Sequence, residues 1–221
     1  MTKPLYVFDL DETLIFGDSA MIWNEFMVEK SIASAPDFIA EDRRLMALYA
    51  KGELDMAQYL AFAMAPLAKM PIEQVNALMD ECVETRILAT QFSQAKSLIA
   101  ELLNDGIDMM IISASATFIV EAVARRFGIP TALGIDLVEK NGCYTSEIKG
   151  TPSFRQGKVI RLQQWLESQG ENFSEIHFYT DSINDLPLCE YADRIYLVNP
   201  CPRLSAHAKN NTDWAVLKWQ V

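Results

Sequence analysis

The stretch LYVFDLDETLIFGDS, residues 5–19, ends an apolar run with two acids, Asp9 and Asp11, one residue apart. Residues i and i+2 of a strand share a face, so the two carboxylates are expected side by side where the strand stops. Two further apolar runs end in polar groups. Residues 107–113 lead into Ser113-Ala114-Ser115, and residues 176–180 into Asp181-Ser182-Ile183-Asn184-Asp185. Lys158 opens a helical stretch between them. Ligands of open parallel sheets bind beyond the carboxyl ends of the strands. If these three strands are neighbours, Asp9, Asp11, Ser113, Asp181, Asn184 and Asp185 meet in one crevice. Clustered carboxylates repel each other unless a cation joins them. Oxygen donors of this kind select Mg2+, which takes one or two carboxylates, waters and substrate phosphate oxygens. Lys158 and Ser113 are suited to the other phosphate oxygens, and the set points to phosphoryl transfer. Taken singly, Asp18, Asp181 and Asp185 fit helix caps, Ser113 and Ser115 fit turns, and Lys158 fits a solvated helix face. Only the joint pattern argues for chemistry.

The elements that must position these residues are legible from periodicity. Residues 4–10, 107–113, 176–180 and 194–198 are short, nearly continuous apolar runs, as strands covered on both faces should be. Between them, helical spacing places Phe92, Ala95, Leu98, Ile99 and Leu102 on one face, and Val159, Leu162, Trp165 and Leu166 on another. The alternation predicts an α/β fold with a mainly parallel sheet. Residues 17–89 break it with helical patterns alone, including one that starts at Pro71. Some seventy residues exceed a crossover, so they are read as a helical subdomain inserted after the first strand. The run YLAFAMAPLAKM is read as its core. In residues 131–152, Asn141-Gly142 marks an antiparallel hairpin excursion.

Composition narrows the partners. The chain has 221 residues, half of them hydrophobic, enough for a core and one large domain or one domain with an insert. A net charge of −11 disfavours nucleic acid and anionic lipid. No apolar run reaches the ~20 residues of a membrane span, and the first residues lack the pattern of a signal peptide. Cys82, Cys143, Cys189 and Cys201 show no C-x-x-C pairing and read as reduced, mostly core thiols of a cytoplasmic protein. His177 and His207 are too few and too far apart to suggest zinc, and His177 is assigned to packing.

These residues carry a resemblance. DLDET resembles the D-x-D-x-T signature of the haloacid dehalogenase (HAD) superfamily, and YTDSINDLP resembles its fourth motif, with Ser113 matching the second and Lys158 the third. The position of the insert and the run TDSINDLPLC are similar to the phosphoserine phosphatase-like branch. The resemblance covers about Pro4 to Pro200. It implies a Rossmann-like three-layer core, residues 1–16 and 90–221, and an all-helical cap of C1 type, residues 17–89. It implies Asp9 as nucleophile forming an aspartyl-phosphate, Asp11 as general acid and base, and Lys158 as charge-neutralising partner. Thr13, Ser113, Ala114, Lys158 and Asn184 would hold phosphate. Mg2+ would be held by Asp9, the backbone carbonyl of Asp11 and Asp181, with Asp185 behind them. Glu12 stands where many relatives have Gly, and a surface position of little consequence is expected.

The implied activity is hydrolysis of a small phosphorylated metabolite, with phosphomutase or phosphotransferase chemistry on the same core as the alternative. A dehalogenase would have no use for Asp11, and a signalling receiver domain would need neither Asp11 nor a cap. Phosphoserine, histidinol phosphate and a phospholipid head group are compatible substrates, the oligomeric state is left open, and no nucleic-acid or membrane partner is expected. The insert should read the leaving group, with Arg43, Arg44, Lys51 and Arg86 as candidate cations and Glu25, Glu29 and Glu53 as partners for an amine. Its hinges should lie at residues 16–18 and 89–90, where Gly17 can absorb rotation.

Overall fold

The computed structural model describes residues 2–170, 172–209 and 211–220. Strand β1, Leu5–Phe8, is followed by helices α1 (Ser19–Glu29), α2 (Phe38–Lys51), α3 (Met56–Met64), α4 (Ile72–Cys82) and α5 (Ser93–Asn104). Then come β2 (Asp108–Ala116), α6 (Thr117–Phe127), β3 (Thr131–Ile135) and a hairpin of β4 (Leu137–Lys140) and β5 (Cys143–Ile148). The chain closes with α7 (Gln156–Gln169), β6 (Ile176–Thr180), α8 (Leu186–Tyr191), β7 (Arg194–Val198), α9 (Pro202–Ala208) and β8 (Ala215–Leu217).

Six strands form one sheet in the order β3-β2-β1-β6-β7-β8, and every pair is parallel. Apolar β1 is central, with Leu5, Val7 and Phe8 fully buried, because it lies between β2 and β6. Chain order reverses direction across the sheet at β1, and that is where an open parallel sheet leaves a crevice at its carboxyl edge. The four predicted strands are present. Two are additional: β3 joins the parallel sheet, so residues 131–135 are not part of the antiparallel excursion, and β8 adds a short edge beyond the residues the motifs cover. The predicted hairpin is confined to β4 and β5, and both turn residues, Asn141 and Gly142, take the positive φ that a two-residue type I′ turn requires.

Residues 17–89 contain helices and no strand, as their periodicity implied. Asp18 caps α1 by accepting from Met21 N at 2.9 Å. Pro71 stands at the N-cap of α4. Tyr59, Leu60, Met64 and Leu67 of the methionine-rich run are buried in a hydrophobic cluster that continues to Phe8 of the sheet. The two connections of the helical segment lie side by side, with Phe16 N donating to Thr90 O at 2.8 Å. Its far end is tied to the hairpin by Ile72 N to Gly142 O at 2.9 Å and Tyr144 Oη to Asn76 at 3.2 Å. Among the described residues no helix is long and apolar enough to cross a membrane.

Candidate active site

The acids do not lie on β1 itself. The strand ends at Phe8, and Asp9 and Asp11 sit on the loop that follows, so shared strand pleating is not what brings them together. Asp9 N still donates to Tyr179 O of β6 at 2.9 Å, which holds the loop over the sheet edge. Asp11 is held from the other side. Its Oδ1 accepts from Ser19 N at 2.6 Å, and its Oδ2 from Ser115 Oγ at 2.9 Å and Ser113 Oγ at 3.3 Å. Ser113 does not end its strand, because β2 runs on to Ala116; it is fully buried and its Oγ also accepts from Ser115 N. Ser115, which by itself reads as a turn residue, makes the shorter bond to Asp11. An S-x-S pair at a strand terminus is the signal that could have flagged it.

Lys158 is the hub. It lies in the first turn of α7 and is 1% exposed, with Nζ 2.8 Å from Asp9 Oδ1 and 2.7 Å from Asp185 Oδ1. The helix can bring it there because residue 157 is glycine: a Cβ would stand 1.9 Å from Pro152 O. Asp185 is 2% exposed and also accepts from Thr180 Oγ1 at 2.7 Å; it stands at the N-cap position of α8, but its side chain makes no capping hydrogen bond and serves Lys158 instead. The 3-10 turn Ile183–Asp185 just before α8 is capped by Ser182, whose Oγ accepts from Asn184 N. Asn184 is buried, and its Nδ2 donates to Tyr49 O of α2 at 3.3 Å, a contact to the helical segment that the phosphate-binding expectation did not include. Thr13 is fully buried and its Oγ1 has no hydrogen-bond partner.

The charges are under-compensated. Burial pushes Asp9 up to about 7 despite the opposing effect of Lys158, and the charges of Asp185 and Asp11 add to the rise. Burial and Asp18 push Asp11 up to about 7. Asp181 is raised well above the usual carboxylate range by burial and by the charges of Asp9 and Asp185. One lysine thus faces several buried acids. Among the described residues no three His, Cys, Asp or Glu side chains form a metal cage. Mg2+ does not need one, since it ordinarily takes one or two carboxylates and fills its shell with water and phosphate. Asp9 and Asp181 line one cavity and carry oxygen donors of the kind it selects, and the excess negative charge is what a divalent cation would relieve.

A cavity of about 290 Å3 opens over these acids, bounded by Asp9, Asp11, Ala114, Ser115 and Asp181 and roofed by residues of α1, α2 and α3. Glu12 is on its rim, exposed as expected but with φ 56°, a left-handed conformation that favours glycine. The residues proposed to read a leaving group are elsewhere. Arg43 pairs with Glu25 at 3.9 Å, Arg44 with Glu41 and Arg86 with Glu29, the three arginines being exposed, and neither Lys51 nor Glu53 lines the cavity. Long charged side chains at helical spacing went to the solvated face, while smaller and apolar ones face inward.

Comparison with known proteins agrees with this architecture. A family model for haloacid dehalogenase-like hydrolases matches residues 6–190. The chain is 33% identical to a protein of Neisseria meningitidis serogroup C named histidinol-phosphatase, over 99% of this chain and 100% of that one. It is 30% identical to a phosphoserine phosphatase of Lactococcus lactis, over 86% of this chain and 81% of that one. A crystal structure of a Bordetella pertussis protein of unknown function superposes with a TM-score of 0.86 at 35% identity, covering 98% of this chain and 99% of that one.

Proposed function

This chain belongs to the haloacid dehalogenase-like hydrolases and is a phosphatase, and from that premise we propose that it hydrolyses the phosphomonoester of a small metabolite through an aspartyl-phosphate, with Mg2+. The observation that carries the reading is the convergence of Asp9, Asp185 and Lys158 within hydrogen-bonding distance, with Asp11 and the unpartnered Thr13 hydroxyl alongside. Lys158 engages Asp9 Oδ1, which leaves the other carboxylate oxygen to attack phosphorus. The P–O bond to the leaving alcohol breaks as the bond to Asp9 forms. Asp11, raised to about 7 by burial, carries a proton near neutral pH that it can give to the leaving oxygen. The same carboxylate, once ionised, accepts a proton from the water that cleaves the aspartyl-phosphate. Ser115 orients Asp11 for both steps.

Mg2+, when bound by Asp9, Asp181 and the Asp11 carbonyl, would supply the positive charge that lets an anion approach a carboxylate. Asp185 would set the position of Lys158, while Thr13, Ser113, Ala114 and Asn184 would face phosphate oxygens. Residues 17–89 would act as the cap, with the cavity beneath them taking the leaving group. A cytoplasmic setting belongs to the same reading, supported by four unpaired cysteines. The test is turnover of p-nitrophenyl phosphate by the purified protein. Activity should need Mg2+, vanish with EDTA, return on adding the metal, and be lost in Asp9→Asn. Full activity in metal-free buffer, or near-wild-type activity in Asp9→Asn, refutes it.

A further inference from the structure

The residues that line the cavity are of two kinds. Asp9, Asp11 and Asp181 belong to the proposed hydrolysis. Most of the others are aromatic or aliphatic, and Trp23, Tyr59, Leu60, Met64, Phe118 and Ile119 are each at most 7% exposed. Two of these rings form a fixed wall. Trp23 of α1 meets Phe118 of α6 edge to face, with centroids 6.0 Å apart. Phe26 stacks on Trp23 at 5.7 Å and Tyr144 on Phe118 at 5.2 Å, so the wall joins the helical segment to the sheet core and is braced on both sides. The cavity measures about 290 Å3, roughly twice the ~150 Å3 of an apolar cavity that holds benzene. It has room for a phosphoryl group against the acids and a body of about one ring against the apolar wall. A leaving group of only a few carbons would leave most of that wall uncovered. Charge sets a second condition. Among the described residues lining the cavity there is no lysine, arginine or histidine, while Glu12 and Asp18 add two more carboxylates. A carboxylate on the leaving group would lose its water against acids with no cation to meet it.

We propose that this cavity selects phosphate monoesters whose leaving alcohol carries a flat body of about one ring and no carboxylate, with Trp23 and Phe118 as the wall that the ring packs against. The proposal rests on the phosphatase reading above and narrows its substrate. Phosphoserine, which the sequence allows, falls outside this class on both counts: its body is too small to cover the wall, and its carboxylate meets only acids.

Steady-state kinetics on the full chain with Mg2+ test it, using primary alkyl esters whose reacting ends match: 2-phenylethyl phosphate, the same ester with a para carboxylate, and O-phosphoserine. The kcat/KM of the first should exceed that of each of the others at least tenfold, chiefly through KM, and a smaller difference from either overturns the proposal. Ala63 lines the cavity from α3, so Ala63→Phe sets a ring into the space proposed for the leaving group. The ratio of kcat/KM for 2-phenylethyl phosphate to that for methyl phosphate should fall at least tenfold in this variant, and an unchanged ratio also overturns the proposal. Trp23→Leu removes the braced ring, should lower the same ratio at least threefold, and carries the variant test if Ala63→Phe melts early. Turnover of none of these esters, nor of p-nitrophenyl phosphate, would refute the phosphatase reading itself. Calorimetric titration with 2-phenylethanol and its para-carboxylate then decides the cavity: binding of the first at least fivefold more tightly supports the selection, and equal binding or none overturns it.

Discussion

Replacing Lys158 by methionine is the sharpest perturbation of the site, because the lysine is buried and holds two buried acids. Its Nζ lies 2.8 Å from Asp9 and 2.7 Å from Asp185. At an effective dielectric of about 20, each contact is worth about 6 kcal/mol of Coulomb attraction. Most of that is offset by the cost of taking three charges out of water. Burial by itself would lower the lysine, yet Asp185 and Asp9 raise it above its ordinary value, so the attraction wins. Methionine fills much the same volume but leaves both carboxylates uncompensated, a loss that typically costs 3–5 kcal/mol. For a chain of this length that is a fall of about 6–20 °C in melting temperature. Three checks identify the cause. Scanning calorimetry should show the gap between variant and wild type closing as pH falls from 8 to 5, because the stranded acids then take up protons. Adding Asp185→Asn to Lys158→Met should restore part of the loss. Mg2+ should raise the melting point of the variant more than that of the wild type. A loss below about 1 kcal/mol, or a double variant whose losses simply add, would refute the view that Lys158 is held by charge and not by packing.

Two further outcomes follow from the same geometry. The folded protein holds Asp9 and Asp11 at about 7, above their unfolded value of 3.8, so the folded state binds more protons between those limits and metal-free stability should decline as pH rises from 4 to 7; fluorimetric melting at pH 5.5 and 8 should show the lower value at pH 8, with Mg2+ reducing the difference, and a rise in stability toward pH 8 without metal would contradict it. The C-terminal end of α2 is clasped by three core donors, Arg155 to Gly52 O, Arg203 to Lys51 O at 2.9 Å and Asn184 to Tyr49 O at 3.3 Å, so the double variant Arg155→Ala/Arg203→Ala should speed amide exchange across residues 45–55 and raise KM for substrates that fill the cavity, while the melting temperature moves by only about 2 °C, and unchanged exchange would show that the clasp does not hold the helices down.

What the sequence reveals here depends on how local the signal is. The central strands were legible because continuous burial writes an unbroken apolar run, and Leu5–Phe8, Asp108–Ala116, Ile176–Thr180 and Arg194–Val198 are the strands of the sheet interior. The edges were not: β3 is TALGI with three half-buried residues and β8 is only three residues long, so neither shows a period that can be told from a loop. Asp9, Asp11, Lys158 and Asp185 were legible together because charge beside apolar strands needs a reason. The clasp on α2 was not, since its acceptors are backbone carbonyls, which every residue has. The cavity was not legible for a related reason. Helical spacing tells which residues of α3 face inward, but not that the inside also holds a cavity, so Tyr59, Leu60 and Met64, buried in the core as read, line it as well.

The charge distribution orders the events at the site. Lys158 is the one buried lysine or arginine among the described residues, and both of its neighbours are acids of the site itself. It neutralises what is already there and has little left for an incoming phosphate. The cavity adds Asp11, Glu12, Asp18 and Asp181 and no basic residue, within a chain whose net charge is −11. An anion entering that space alone meets repulsion at every acid it passes. A divalent cation held by Asp9 and Asp181, as proposed, would reverse the local sign where the phosphate must sit. The proposed metal therefore answers the electrostatic problem at the end where the phosphate must sit, in a cavity that offers no basic side chain among the described residues to do so.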